Sequence, residues 1–164
     1  MIFVTVGSQK FPFNRLLKEI DRLIECGIIK DEVIAQIGYS DYLPKNYKYV
    51  QFIDRDVFEN YEQMADIVIT HGGTGAIVGA LKKNKKVIAV PRLKKYGEHV
   101  DNHQLQILSQ FKEMNLICIC EIIEELGMKY QEIHNTTFDS YVSNTDLIIE
   151  SIQNFIEFEG VKHE

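Results

Sequence analysis

The sequence predicts an α/β fold, a Rossmann-like parallel sheet of about six strands with flanking helices, in a single domain over residues 1–164. Two observations predict it. Short apolar runs rich in β-branched residues, typical of strands buried on both faces, alternate with stretches of helical periodicity. The connections between them are short, which favours parallel strands joined by helical crossovers. Hydrophobic residues make up 45% of the chain, enough for a core.

The elements follow one another along the whole chain. Strands are expected at residues 2–6, 33–37, 47–52, 67–69, 87–90 and 116–119. Helices are expected at residues 12–27, 54–64, 76–81, 98–108 and 122–126, and again at 144–158 near the C-terminus. Pro12 suits a first helical turn, and Gly27 suits a helix end. Residues 129–143 show no clear period, which predicts irregular structure.

Composition narrows the function classes. The formal net charge of −6 argues against a nucleic-acid surface. Met1 leads directly into an apolar strand with no basic segment before it, and no run reaches the length of a membrane span. We therefore expect a cytoplasmic protein. Cys118 and Cys120 have no second cysteine pair to complete a metal site, so all three cysteines are expected to be reduced thiols.

A glycine-rich turn joins the fourth expected strand to its helix. It consists of His71, Gly72, Gly73, Thr74 and Gly75. The start of a helix presents unpaired backbone N–H groups and a positive dipole end, which together bind anions, phosphate above all. Glycines serving only the packing of the turn are the structural alternative. The histidine and threonine favour a phosphate site, since a plain turn does not need them.

Three polar loops are expected at the carboxyl edge of the sheet, where ligands bind in such folds. They are Gly7-Ser8-Gln9, residues 71–75 and residues 92–104, and the sequence predicts that they converge on one cleft.

The third loop is dense in polar side chains: Glu98, His99, Asp101, Asn102, His103 and Gln104. His99 and His103 share a helix face, as zinc ligands do, but Val100 stands where a metalloprotease has its glutamate. Two interpretations of this segment remain. It is either a capped, solvated helix start or a hydrogen-bonding array for sugar or ribose hydroxyls. Arg92 nearby favours the array, because phosphate and sugar could be bound side by side.

These motifs together resemble a known family. His71 to Gly75, the strand end Val90-Pro91-Arg92, the segment from Tyr96 to Gln104, and the opening residues 4–9 resemble the C-terminal donor-binding domain of family 28 glycosyltransferases. The sequence is most similar to the short catalytic subunits of bacterial capsule and exopolysaccharide β-1,4-galactosyl- or glucuronosyltransferases. It is also similar to the small subunit of the eukaryotic lipid-linked UDP-GlcNAc transferase. The resemblance covers residues 1 to about 125.

The resemblance implies the donor-binding half of a GT-B enzyme: an inverting hexosyltransferase that uses a UDP-sugar, galactose by preference, with no cofactor and no metal. Gly7, Ser8 and Gln9 with residues 71–75 and Arg92 would bind the donor, and His71 would contact a phosphate oxygen. Asp101, Asn102, His103 and Gln104 would complete the sugar and ribose contacts. Glu98 and His99 are the candidates for the general base.

One position departs from the family. Many relatives carry a ribose-binding glutamate on the helix after the glycine turn, where this sequence has Gly79. The resemblance then leaves ribose recognition to Asp101 or Glu98.

A GT-B enzyme closes two domains over its substrates, and this chain predicts only one. We therefore expect a membrane-associated, acceptor-binding partner subunit on the inner face of the membrane, a lipid-linked sugar acceptor, and docking through residues 144–158. A dinucleotide-binding module and a non-catalytic activating subunit are the alternatives. Against the former, Pro91-Arg92 replace the acidic residue expected after the next strand.

Overall fold

The structure is a computed structural model and describes residues 1–100 and 103–143. Six strands form one sheet in which every pairing is parallel, in the order β3-β2-β1-β4-β5-β6. The strands are β1 (Ile2–Thr5), β2 (Val33–Gln36), β3 (Lys48–Val50), β4 (Ile67–Thr70), β5 (Lys86–Ala89) and β6 (Cys118–Ile119). The predicted Rossmann-like sheet is confirmed.

Five α-helices flank the sheet within the described residues. They are α1 (Asn14–Glu25), α2 (Arg55–Met64), α3 (Thr74–Lys82), α4 (His103–Glu113) and α5 (Leu126–Asn135). Short 3-10 helices occupy Lys94–Tyr96 and Ile123–Glu125. None of the described helices is long and apolar enough to cross a membrane.

The alternation of side chains along β1 divides the core into two layers. Ile2 and Val4 pack with the apolar faces of α1 and α5. Phe3 points to the other layer, where its ring lies 5.1 Å from that of Phe58 and 5.6 Å from that of Tyr61, both on α2. Because both faces of the sheet are covered, its strands are apolar without a polar face.

The strand order reverses between β1 and β4, which pair in register with Thr5 opposite Thr70. Chain connections leave such a point in opposite directions and open a crevice beyond the carboxyl ends of the two strands. The loop after β1 and the turn after β4 are therefore neighbours, as the sequence predicted.

Two predicted segments differ from the structure. Residues 129–143 were expected to be irregular, yet α5 extends to Asn135 because Leu126, Tyr130 and Ile133 are spaced to bury one helix face. The helix expected from Glu98 begins at His103, after a loop in which Gly97 takes a positive φ of 70°. The helix predicted at residues 144–158 lies outside the described residues.

Candidate functional site

An open cleft of about 670 Å³ lies at the carboxyl ends of β1 and β4. It brings together six residues predicted for donor binding: Gly7, Ser8, Gln9, His71, Gly73 and Gly75. The rest of its wall comes from Thr5, Gln36 and Ile53 and from residues of α2 and α3, with Lys83 at the end of α3. The convergence of the first two polar loops on one cleft therefore holds in the structure.

The N-terminus of α3 lies at the cleft. Gly73 occupies the capping position with extended backbone, and no described side chain caps the helix. The first helical hydrogen bond runs from the Ile77 N–H to the Gly73 carbonyl, so the N–H groups of residues 74–76 precede it. The first turn contains no acidic side chain. These features leave the positive end of the helix open to an anion.

The imidazole of His71 lies between two glycines. A Cβ atom at Gly7 would stand 2.6 Å from His71 Cε1, and one at Gly73 would stand 2.4 Å from His71 Nε2. Both distances are far inside van der Waals contact. Gly7 also has a positive φ of 76°, a conformation that favours glycine. The two glycines are therefore needed to make room for this ring.

Burial keeps His71 neutral. Its side chain is 9% exposed, and desolvation, followed by the nearby charge of Arg92, lowers its pKa to about 4. Nδ1 lies 3.4 Å from the Thr5 carbonyl oxygen and 3.4 Å from Thr70 Oγ1. If Nδ1 carries the proton, it donates to the Thr5 carbonyl. If Nδ1 carries no proton, it accepts a hydrogen bond from the Thr70 hydroxyl. In the second case Nε2 carries the proton and faces the glycine turn.

Arg92 does not reach the cleft. Its side chain is fully buried, and its guanidinium donates to the carbonyl oxygens of Phe11 (2.9 Å), Glu98 (3.2 Å) and Val6. Burial lowers its pKa to about 10, which still leaves it charged at neutral pH. Two of its three nitrogens donate to backbone carbonyls, and Nε has no partner among the described residues. The structure therefore favours a role in holding the loop after β1 to the loop after β5 over one in binding the donor.

Glu98 has a similar position. Its carboxylate is 4% exposed and accepts hydrogen bonds from Arg15 Nε (3.0 Å) and from the Leu93 N–H (3.0 Å). A second Arg15 nitrogen lies 2.9 Å from it. Gln104 Oε1 accepts from the Arg92 N–H at 3.2 Å. A carboxylate bound on both oxygens is poorly placed to remove a proton, and the geometry favours a structural role for Glu98.

The other predicted residues are more dispersed. Thr74 is exposed at the start of α3. A Cβ at Gly72 would stand 3.0 Å from Leu108, and its φ is 86°, so this glycine serves the packing of α4. The His99 ring lies 6.1 Å from that of Phe11. Asp101 and Asn102 lie outside the described residues, and of His103 only the helical backbone is described.

Metal ligands do not cluster in the described part of the chain. Within residues 1–100 and 103–143 no group of three histidine, cysteine or acidic side chains could hold a metal ion. Cys120 is buried, its thiol donates to the Ile122 carbonyl at 3.1 Å, and burial raises its pKa to about 12. This is the environment of a structural thiol.

Glu62 and Lys83 are cleft residues that the sequence reasoning missed. Glu62 is 1% exposed, and Lys83 Nζ donates to its Oε2 at 2.6 Å. Lys83 belongs to a run of lysines, a pattern that is typical of a solvated helix end and so did not indicate a buried ion pair. The sequence did hold one indication of this buried carboxylate. Glu62 comes four residues after Phe58 and therefore lies on the face of α2 that packs inward.

Comparison with known proteins shows the family of the chain. Residues 1–153 match the glycosyltransferase family 28 C-terminal domain. The chain belongs to this family. The predicted family is thereby confirmed, and with it the Rossmann-like, GT-B type of fold.

The relatives are transferase subunits. The chain is 30% identical over 117 residues to the UDP-N-acetylglucosamine transferase subunit ALG13 of Candida glabrata, covering 70% of this chain and 53% of that protein. It thus spans about half the length of this relative. The subunit of the same name from Saccharomyces cerevisiae is 38% identical over 119 residues, covering 69% of this chain and 47% of that protein.

The fold is shared with a solved ALG13. That solution structure has a TM-score of 0.58 at 19% identity, over 92% of this chain and 93% of the other. These comparisons show the glycosyltransferase family and the fold. They give no support to the narrower expectation of a capsule or exopolysaccharide enzyme.

Proposed function

We propose that this chain is the donor-binding, catalytic subunit of a two-component inverting glycosyltransferase that takes a UDP-sugar. The observation that carries the proposal is the uncapped N-terminus of α3, which opens onto a cleft at the point where the strand order reverses. A nucleoside diphosphate is the anion that this site fits best.

The chemistry follows from what the cleft offers. The N–H groups at the start of α3 and those of the loop after β1 would hold the diphosphate. As the acceptor oxygen bonds to the anomeric carbon, the bond from that carbon to the diphosphate breaks and negative charge moves onto the leaving group. Fixed N–H dipoles stabilise that charge without reorganisation. His71, with its proton on Nε2, would donate to a phosphate oxygen.

The base must accept the proton of the acceptor hydroxyl. Because both oxygens of Glu98 already accept hydrogen bonds, we place this role on His99 or on the partner subunit. Contacts to the transferred sugar are proposed for Asn102, His103 and Gln104, with Asp101 beside them.

The donor sugar has two candidates. The resemblance of the motifs to bacterial enzymes favoured galactose, whereas the relatives are named for N-acetylglucosamine. We propose N-acetylglucosamine first and galactose second, since the relatives that match about 70% of this chain are named for the former.

The remaining expectations concern the partner. We propose a membrane-associated subunit that binds a lipid-linked sugar and holds this chain at the inner face of the membrane, with residues 144–158 as the docking segment. Deleting residues 144–164 should abolish co-purification with that subunit, and unchanged co-purification would reject the docking segment.

Calorimetry tests the donor site. The purified chain is titrated, without added metal, with UDP, UDP-N-acetylglucosamine, UDP-galactose and NAD. Binding of the UDP compounds and not of NAD is expected. Binding of NAD alone would overturn the proposal in favour of a dinucleotide-binding module, and absence of UDP binding would reject a donor site on this chain.

A further inference from the structure

A buried carboxylate on the wall of the cleft is only half satisfied. Glu62 lies on α2, is 1% exposed, and gives one oxygen, Oε2, to Lys83 at 2.6 Å. Its other oxygen, Oε1, is buried and has no hydrogen-bond partner among the residues that the structure describes. Leaving such an oxygen unpaired is costly. A group of this kind at a cleft indicates a bond that a ligand supplies.

Gly79 leaves the space that this carboxylate occupies at the wall of the cleft. A Cβ atom at Gly79 would stand 3.0 Å from Glu62 Oε1 and 3.2 Å from Oε2. The carboxylate of α2 therefore occupies the space into which a side chain at position 79 of α3 would point. Glu62 and Gly79 both line the same cleft as Gly73 and His71.

Lys83 determines what kind of ligand suits the free oxygen. Its ammonium group balances the charge of Glu62 through a partly buried ion pair, so the site neither calls for a cation nor strongly repels a phosphate. The free oxygen, Oε1 of Glu62, can still accept a hydrogen bond. A neutral donor such as a hydroxyl group satisfies it.

The position along α3 suits the sugar of a nucleotide. Gly79 lies six residues beyond Gly73, roughly 9 Å along the helix axis at 1.5 Å per residue. With a diphosphate at the N-terminus of α3, that span corresponds to the phosphate-to-ribose portion of a nucleoside diphosphate.

We propose that Glu62 binds the ribose hydroxyls of the donor nucleotide, with Oε1 accepting from the vicinal diol and Lys83 fixing the carboxylate. The inference rests on the proposed function. It assigns ribose recognition to a residue of α2, in place of Glu98, whose oxygens are occupied, and of Asp101.

Titration with UDP and with 2′-deoxy-UDP tests it. The wild-type chain should bind UDP about tenfold or more tightly than the deoxy compound, as expected for a hydrogen bond to a charged group. Glu62→Gln should weaken UDP binding by about that factor and leave 2′-deoxy-UDP binding nearly unchanged. The matched control is Asp56→Asn, on the same helix, exposed and outside the cleft lining, which should keep the preference.

A second variant separates the site from simple loss of folding. Glu62→Ala combined with Gly79→Glu returns a carboxylate to the same space from α3, and it should restore part of the preference for UDP. If the wild-type chain binds both compounds equally well, or if Asp56→Asn loses the preference instead, the inference is overturned while the donor site stands. If UDP does not bind at all, the proposed function fails and this inference with it.

Discussion

Two turns follow neighbouring strands of the same sheet, and they differ in how their polar groups are hydrogen-bonded. The turn after β4, residues 71–75, leaves the start of α3 uncapped and faces an open cleft. The loop after β5, residues 92–98, buries an arginine and a glutamate whose hydrogen bonds go to Arg15 and to backbone groups of the chain itself.

The difference teaches that a dense run of polar residues does not by itself mark a ligand site. What distinguishes the first turn is that no described side chain caps the helix start that it opens. The second loop is rich in charge because its buried arginine and glutamate hold it to the loop after β1 and to α1. The predictions below test this division.

Replacing Arg92 should have the largest effect on stability. Arg92→Leu leaves the carbonyl oxygens of Val6, Phe11 and Glu98 without this donor, and we expect the free energy of unfolding to fall by about 3–5 kcal/mol. Urea denaturation measures it. Lys95→Leu, at an exposed position of the same loop, should change stability by less than about 1 kcal/mol. A variant as stable as the wild type that binds UDP more than tenfold more weakly would place Arg92 in the donor site instead.

His71 should make stability depend on pH. Its folded pKa of about 4 lies below the ordinary value of 6.5, so the unfolded chain binds the proton more readily. Stability is then fully present above pH 6.5 and is lost as the pH falls toward 4. Between pH 7 and pH 5 the loss should be about 2 kcal/mol.

Urea denaturation at both pH values checks this. His71→Gln should remove that part of the loss, whereas His134→Gln, at an exposed position, should retain it. An equal loss in the wild type and in His71→Gln would show that His71 is not held neutral by burial.

Two glycines of the turn should respond differently to the same change. Gly73→Ala places a Cβ 2.4 Å from His71 Nε2, whereas a Cβ at Gly75 meets nothing within 4 Å. We expect Gly73→Ala to push the ring toward the cleft and weaken UDP binding about tenfold, an overpacking effect of about 1.4 kcal/mol. Calorimetry measures it. Gly75→Ala should bind like the wild type, and a similar loss in both variants would contradict the role of His71.

The sequence predicted much of the fold because its signals are local. Apolar β-branched runs marked the six strands, and the reversal that brings residues 5–9 beside residue 71 follows from strand order. Residues 129–135 were misjudged because the period of Leu126, Tyr130 and Ile133 is carried by only three side chains. The start of α4 was misplaced because a polar run looks the same in a loop and in a first helical turn.

The site was harder to predict because it depends on pairing in space. Glu98 and Glu62 are both acidic residues in the sequence, and nothing local says that Arg15, 83 residues away, occupies the first. Nothing local says either that Gly79 leaves room for the carboxylate of Glu62. The glycine turn was found because strand, glycines and helix are contiguous.

The most direct test of the central claim is an amide chemical-shift titration with UDP. The account predicts that the largest shifts fall on Gly7, Ser8 and residues 73–76, at the loop after β1 and the start of α3, while residues 93–98 move little. Shifts concentrated on residues 93–98, with the start of α3 unchanged, would contradict it.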